Sequence, residues 1–200
     1  MPAHSKETKL KNVELENQTE AYLKVLNWFF SFPDIETGLN DLSAELKISK
    51  TTAKKIIEVL EKESFLIKKV YGKTWRITCN KSHIYNFTRK VAFNLSMVLE
   101  AYAGGLREHI RSVVGNAKAV ILFGSYRKGD DTEKSDVDIA VEIAGNEDIK
   151  IIRLGVIPLF GFRPDVPVNL HVFSRDKIDT NLFSNMANGI VLEGFLEVRP

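Results

Sequence analysis

Residues 118–143 read KAVILFGSYRKGDDTEKSDVDIAVEI, and the order of residue types in this stretch decides the fold of the C-terminal half. Residues 118–123, KAVILF, are a short apolar run of the kind that forms a buried strand, and GSYRKG at 124–129 follows at once. After a polar stretch, 135–143 (SDVDIAVEI) reads as a second strand. Alternate residues of a strand share a face, so Val137, Ile139 and Val141 point into the core while Asp136 and Asp138 stand side by side on the other face. Like charges at that separation repel, and a divalent cation between them is the economical way to keep both ionised. Oxygen ligands point to Mg²⁺ or Mn²⁺ and away from zinc. Gly124 lets backbone approach a ligand closely, and Ser125 offers a hydroxyl and, at the start of a helix, backbone N–H groups that suit a phosphate.

Ten residues separate Gly124-Ser125 from Asp136-x-Asp138. With its flanking apolar strands, this pattern resembles the signature of the polymerase-beta-like nucleotidyltransferase superfamily. The resemblance covers about half the chain, roughly residues 95–198, and extends to the closing NGIVLEGFLEV. It implies that Asp136 and Asp138 are catalytic and bind the metal ions that carry a nucleoside triphosphate, ATP being the expected one. Gly124 and Ser125 would then grip the phosphates. Arg127 and Lys128 either neutralise phosphate charge or form a solvated pair beside the site. The implied reaction is in-line attack of an acceptor hydroxyl on the α-phosphate with release of pyrophosphate, two metals stabilising the attacking and leaving oxygens.

A third carboxylate completes the family pattern, on a later strand. The corresponding strand here, residues 168–173 (VNLHVF), offers Asn169 at that position, with His171 beside it, and no acid. An amide oxygen can accept, but it neither balances metal charge nor takes a proton. His171 reads either as a base or as a structural histidine, and Asp165 sits in the preceding loop.

Upstream, residues 17–31 carry Tyr22, Leu23, Leu26, Phe29 and Phe30 at helical spacing and end at Phe32-Pro33-Asp34. A short helix capped by Asn40, a turn at Ile48-Ser49-Lys50 and a second helix over 51–63 suggest helix-turn-helix. Residues 65–78 read as two strands around Gly72, a basic hairpin. The segment from about 17 to 79 therefore resembles the winged helix-turn-helix family of DNA-binding domains. Candidate DNA contacts are Lys50, Thr51, Thr52, Lys54 and Lys55 on the second helix and Lys68, Lys69, Lys73 and Arg76 on the hairpin. Residues 40–78 hold 9 basic and 5 acidic side chains, which suits phosphate neutralisation, although winged helices also serve as dimerisation or protein-docking modules.

Between these units, Val91, Leu95, Val98, Leu99, Tyr102, Leu106 and Ile110 follow a helical period bent near Gly104-Gly105. The expected fold class is α+β: a winged helix-turn-helix followed by a nucleotidyltransferase-like mixed α/β sheet domain. The expected divisions are a flexible N-terminus at 1–16, the winged helix at 17–79, a helical connector at 80–117 and the transferase domain at 118–200 with part of the connector.

Charge supports two modules with different partners. Residues 129–200 carry 7 basic and 13 acidic side chains and residues 1–128 carry 21 and 13, so the net +2 of the 200-residue chain is a sum of unlike parts. One cysteine, Cys79, allows no internal disulfide, and no apolar run reaches the about 18 residues of a membrane span. No signal peptide is evident either, so the cytoplasm is the expected compartment and no membrane partner is expected. No acceptor-binding domain is expected after residue 198, and the resemblance to minimal nucleotidyltransferases then implies a macromolecular acceptor, for example a protein of the HEPN toxin type. Double-stranded DNA is the second expected partner, and paired half-sites suit a homodimer. The competing reading is a DNA-binding regulator or antitoxin whose transferase domain is a nucleotide sensor or an inactive scaffold.

Overall fold

The computed structural model describes residues 19–198. The expected flexible N-terminus at 1–16, and the first residues of the helix expected from 17, lie outside the described residues. Helix α1 (Glu20–Ser31) starts at Thr19, whose side chain accepts from the Tyr22 N–H, and it buries Val25, Leu26, Trp28, Phe29 and Phe30. Leu23, expected on the apolar face, is 40% exposed because Val25 and Trp28 take the inward positions. Helix α2 (Leu39–Glu45) starts after Gly38 at its N-cap, two residues before the expected Asn40. Helix α3 (Lys50–Lys62) starts one residue before the expected 51, because the Ser49 side chain caps it by accepting from Thr52 N. Ala53, Ile56, Ile57 and Leu60 face inward.

Strands β1 (Leu66–Tyr71) and β2 (Thr74–Cys79) form an antiparallel hairpin around Gly72, and an isolated bridge pairs Thr37 with Ile77. Phe65, Leu66 and Ile77 close this N-terminal core over α1, α2 and α3.

Helix α4 (Ile84–Phe87) and helix α5 (Arg89–Ala101) then lead into a π-helical segment, Tyr102–Leu106, where Gly105 leaves helical geometry, and helix α6 (Arg107–Val114) follows. This wide turn is the expected bend. The strands β3 (Ala117–Phe123), β4 (Val137–Ile143), β5 (Lys150–Phe160), β6 (Arg163–Ser174) and β7 (Ile190–Gly194) form one sheet in the order β5-β6-β4-β3-β7. Only β4 and β6 pair in parallel; every other pairing is antiparallel.

One face of this sheet packs Val120, Leu122, Val137, Ile139, Val141, Leu170 and Val172 against Val98, Tyr102 and Ile110 of the connector. The other face carries Ala119, Ile121, Ala140 and Phe173 beneath Met186 of helix α8 (Thr180–Ala187). That second apolar patch includes Phe123 at the end of β3, which lies in one row with Asp138 of β4 and Asn169 of β6. Phe93 of α5 packs against both the N-terminal core and the sheet core, and the Phe162 N–H, in the β5–β6 turn, donates to Ser31 Oγ of α1 at 3.3 Å. The two units are thus joined at the end of the β5–β6 hairpin. Among the described residues, no helix is long and apolar enough to cross a membrane.

Candidate active site

The alternation of β4 sends Val137, Ile139 and Val141 into the core and leaves Asp138 on the opposite face, with Asp136 just before the strand. Parallel pairing puts Asn169 of β6 beside Asp138, and two side-chain bonds follow from that register. Asn169 Nδ2 donates to Asp136 Oδ2 at 3.0 Å, and His171 Nε2 lies 3.1 Å from Asp138 Oδ1. With a proton on Nε2 the imidazole donates to Asp138, and its buried Nδ1 has no hydrogen-bond partner among the described residues. The Phe123 ring meets the imidazole edge-on at 4.9 Å and fixes its plane. Each aspartate therefore has one oxygen held by a donor from β6, which eases the repulsion between the pair without supplying a third negative charge.

Short helix α7 (Gly124–Lys128) follows β3 directly. Gly124 has φ +73°, and a Cβ placed there would lie 2.7 Å from Asp138 Oδ2. Glycine is required twice over, by the left-handed backbone and by the carboxylate that approaches it. Ser125 is half-buried next to it; Arg127 is half-buried and Lys128 exposed, and among the described residues neither forms an ion pair.

The loop from 129 to 135 joins this helix to the aspartates and is held by groups that lie outside the motif. Lys90 of α5 sits 3.2 Å from Asp131 Oδ2 and donates to the Asp131 carbonyl at 2.5 Å, with only 1% and 4% of the two side chains exposed. Asn94, one turn on, donates to Asp131 Oδ1 at 2.7 Å and to the Tyr126 carbonyl at 3.0 Å. Burial pushes the Asp131 carboxyl upward and the Lys90 ammonium downward from their ordinary values, and each partner opposes the other's shift. Gly129, at φ +82°, passes so close to the Asn86 carbonyl that a Cβ would collide with it. On the other side, buried Arg163 at the start of β6 donates to the Tyr126 hydroxyl and, at 2.9 Å, to the Ser135 carbonyl immediately before Asp136. Burial raises the Tyr126 phenol well above its ordinary value, so it stays protonated as part of this frame.

Lys90, Asn94 and Arg163 are positioning residues that sequence reasoning missed, the first two because polar residues on an amphipathic helix ordinarily face water, and Arg163 because its partners Tyr126 and Ser135 lie 37 and 28 residues away in the chain. The one signal was the spacing of Lys90 and Asn94, four residues apart and so on one helix face. Asp165 lies four residues before Asn169 on β6, exposed at φ 49°, and bonds neither aspartate.

The donor set passes one test for a divalent ion and fails another. Asp136 and Asp138 offer paired carboxylate oxygens next to a cradle that a Cβ at position 124 would fill, which suits one Mg²⁺ or Mn²⁺ held by two carboxylates and substrate phosphate. Among the described residues, no cluster of three or more His, Cys, Asp and Glu side chains could hold a metal ion, so a second, fully liganded ion has no third acid to bind.

The N-terminal candidates divide by their partners. Lys50, Thr51, Lys55, Lys69 and Lys73 are exposed, and among the described residues no ion pair occupies these lysines. Lys68 folds back onto Glu61 at 2.5 Å and over the Trp75 ring, with 15% of its side chain exposed. Arg76 pairs with Glu36 at 3.6 Å and Lys54 with Glu58 at 3.9 Å, while the half-buried Thr52 is engaged by the Ser49 cap.

The class of the C-terminal unit rests on fold and sequence together. Residues 105–185 match the family model of the nucleotidyltransferase domain, a span that holds the Gly-Ser turn, both aspartates, Asn169 and the strands that carry them. No curated protein matches the chain.

Proposed function

We propose that the protein is a metal-dependent nucleotidyltransferase that moves a nucleoside monophosphate from a nucleoside triphosphate, ATP being the expected donor, to a hydroxyl of a macromolecular acceptor. The single observation that carries this reading is the close approach of Gly124 to Asp138, which brings the Gly-Ser turn against the carboxylate pair. In the reaction, the acceptor hydroxyl gives up its proton to water, its oxygen bonds to the α-phosphorus, and the bond from that phosphorus to the pyrophosphate oxygen breaks, releasing pyrophosphate. Bound Mg²⁺ or Mn²⁺ would supply charge neutralisation at the phosphate. Asp136 and Asp138 would hold that ion, with Asn169 and His171 orienting them; Gly124 and Ser125 would receive the phosphates, and Arg127 and Lys128 would add positive charge. The nearest acceptor class is a protein hydroxyl, with a HEPN-type toxin as the model case.

Residues 17–79 are, in this proposal, a winged helix-turn-helix that binds double-stranded DNA, with a cytoplasmic location and a homodimer on paired half-sites. The exposed, unpaired Lys50, Lys55, Lys69 and Lys73 support it, and they are the side chains expected to release counterions from phosphates. Lys54, Lys68 and Arg76 contribute only by leaving their carboxylate partners.

A second reading has its own observation. Asn169 occupies the third-carboxylate position and donates to Asp136, an arrangement that holds a nucleotide without deprotonating an acceptor. The protein would then be a DNA-binding regulator whose transferase domain senses nucleotide. Incubation with ATP labelled at the α-phosphate, Mg²⁺ or Mn²⁺ and candidate acceptors separates the two. Label transfer by the wild type that is lost in Asp136→Asn with Asp138→Asn supports the transferase. Nucleotide binding without transfer to any acceptor supports the regulator, and transfer that survives both substitutions contradicts the site.

A further inference from the structure

The row of residues that crosses the sheet at Asp138 does not end at Asn169. Phe123 of β3 pairs with Asp138 of β4, Asp138 with Asn169 of β6, and Asn169 with Arg153 of the edge strand β5. Neighbours in register share a face, and Ile152 on one side of Arg153 packs into the sheet core, so Arg153 stands on the same face as the aspartates. A bulge follows it at once, between Arg153 and Gly155, the kind of irregularity that re-aims a side chain.

The charge inventory singles this residue out. Every other described arginine outside the Gly-Ser helix has a partner: Arg76 with Glu36, Arg89 with Tyr22, Arg107 and Arg111 with Glu193, Arg163 with Ser135, Arg175 with Glu142. Arg153 is exposed and, like Arg127, has no hydrogen bond or ion pair among the described residues. Arg127 and Arg153 thus sit on elements to either side of the aspartate strand, α7 after β3 and the edge strand β5. Two strand spacings, about 9.6 Å, separate the Arg153 backbone from that of Asp138, and the long arginine side chain covers much of that gap across the small Asn169. A carboxylate at position 169 would capture the guanidinium in an ion pair; the amide leaves it available.

We infer that Arg153 is a phosphate-binding residue of the nucleotide site, meeting the triphosphate from the side opposite the Gly124–Ser125 turn. This rests on the nucleotide reading of the site given above. Its ligand chemistry is a polyphosphate anion, and the planar fork of the guanidinium suits two phosphate oxygens at once.

Calorimetric titration of an α,β-methylene analogue of ATP, with Mg²⁺, into the wild type, Arg153→Ala and Arg153→Lys tests it, with adenosine as the ligand lacking phosphate. The expected result is a loss of at least about tenfold in analogue affinity for Arg153→Ala, the range of one charge-assisted bond, with partial recovery in Arg153→Lys and no change toward adenosine. Circular dichroism confirms that each variant is folded. If the wild type binds the analogue and Arg153→Ala binds it equally well, Arg153 is not a phosphate ligand while the nucleotide site stands. If Arg153→Ala binds the analogue normally yet loses transfer, the guanidinium serves the acceptor and the inference is overturned. Failure of the wild type itself to bind the analogue removes the nucleotide reading, and the inference falls with it.

Discussion

Replacing Lys90 with methionine keeps the volume of the side-chain stem and deletes the charge that compensates Asp131. In the wild type, the Asp131 carboxylate is 4% exposed and held by Lys90 at 3.2 Å and Asn94 at 2.7 Å. The substitution leaves a buried carboxylate with the Asn94 amide alone, and breaking a buried pair on one side costs about 3–5 kcal/mol. With a urea slope of about 2 kcal/mol per molar for a chain of this size, the midpoint should fall by about 1.5–2.5 M, followed by far-UV circular dichroism. The pH dependence has a definite sign. Burial already raises the Asp131 carboxyl, and without Lys90 it rises further above its unfolded value of about 3.9. The folded variant then binds a proton that the unfolded chain releases. Its stability is fully present below the unfolded value and is lost as pH rises through the folded one, so the deficit is smaller at pH 5 than at pH 8. The double variant Lys90→Met with Asp131→Leu removes both charges and should recover more than half of the loss. A midpoint shift under about 0.5 M, a deficit that grows toward acid, or a double variant no better than the single one would refute the claim that this pair clamps the loop before the aspartates.

Three further outcomes follow from the same geometry. Gly124→Ala puts a Cβ 2.7 Å from Asp138 Oδ2 at φ +73°, a strain of about 1–2 kcal/mol, so melting should drop by only a few degrees while Mn²⁺ affinity falls at least tenfold; unchanged metal affinity would mean that Gly124 does not frame the site. Arg107, Tyr102 and Arg111 hold the Glu193 carboxyl down to about 2, so its stabilisation is present above its unfolded value of about 4.3 and lost as pH falls from there toward 2. Glu193→Gln should flatten that part of an acid-unfolding curve, and an identical curve would argue against the clamp. Burial pushes the Cys79 thiol up to about 11, so iodoacetamide at pH 8 should react far more slowly with the folded protein than with the urea-unfolded chain, and equal rates would contradict its burial.

What the sequence made legible was whatever is encoded by local pattern. The apolar run before Gly124 and the alternation through Asp136 and Asp138 gave β3 and β4, and the helical stripe from Val91 to Ile110 gave α5 and α6 with the bend at Gly105. Strand β5 was hidden, because KIIRLGVIPLF contains Gly155 and Pro158, residues that mark breaks unless the strand is a bulged edge. Arg153 was hidden with it, since its place beside Asn169 exists only in the strand order. The polar clamp on Asp131 was equally illegible: the partners are 37 and 41 residues apart in sequence, and nothing local distinguishes a buried lysine from a solvated one. Lys68 reaches Glu61 only because the hairpin lies beside α3, and Arg76 reaches Glu36 in the segment before α2, so neither pair is legible locally, whereas Lys54 and Glu58 stand four residues apart on α3; all three pairs reduce the free positive charge that counting over residues 40–78 suggests.

The central claim is that Asp136 and Asp138 face Gly124 in order to hold a metal-bound nucleotide. Electron paramagnetic resonance of Mn²⁺, titrated into the protein with a non-hydrolysable ATP analogue, measures this without requiring an acceptor. The account predicts one bound Mn²⁺ per chain when the analogue is present, lost in Asp136→Asn with Asp138→Asn, and a second ion gained in Asn169→Asp. No nucleotide-dependent Mn²⁺ binding by the wild type, or binding unchanged when both aspartates are replaced, would contradict it.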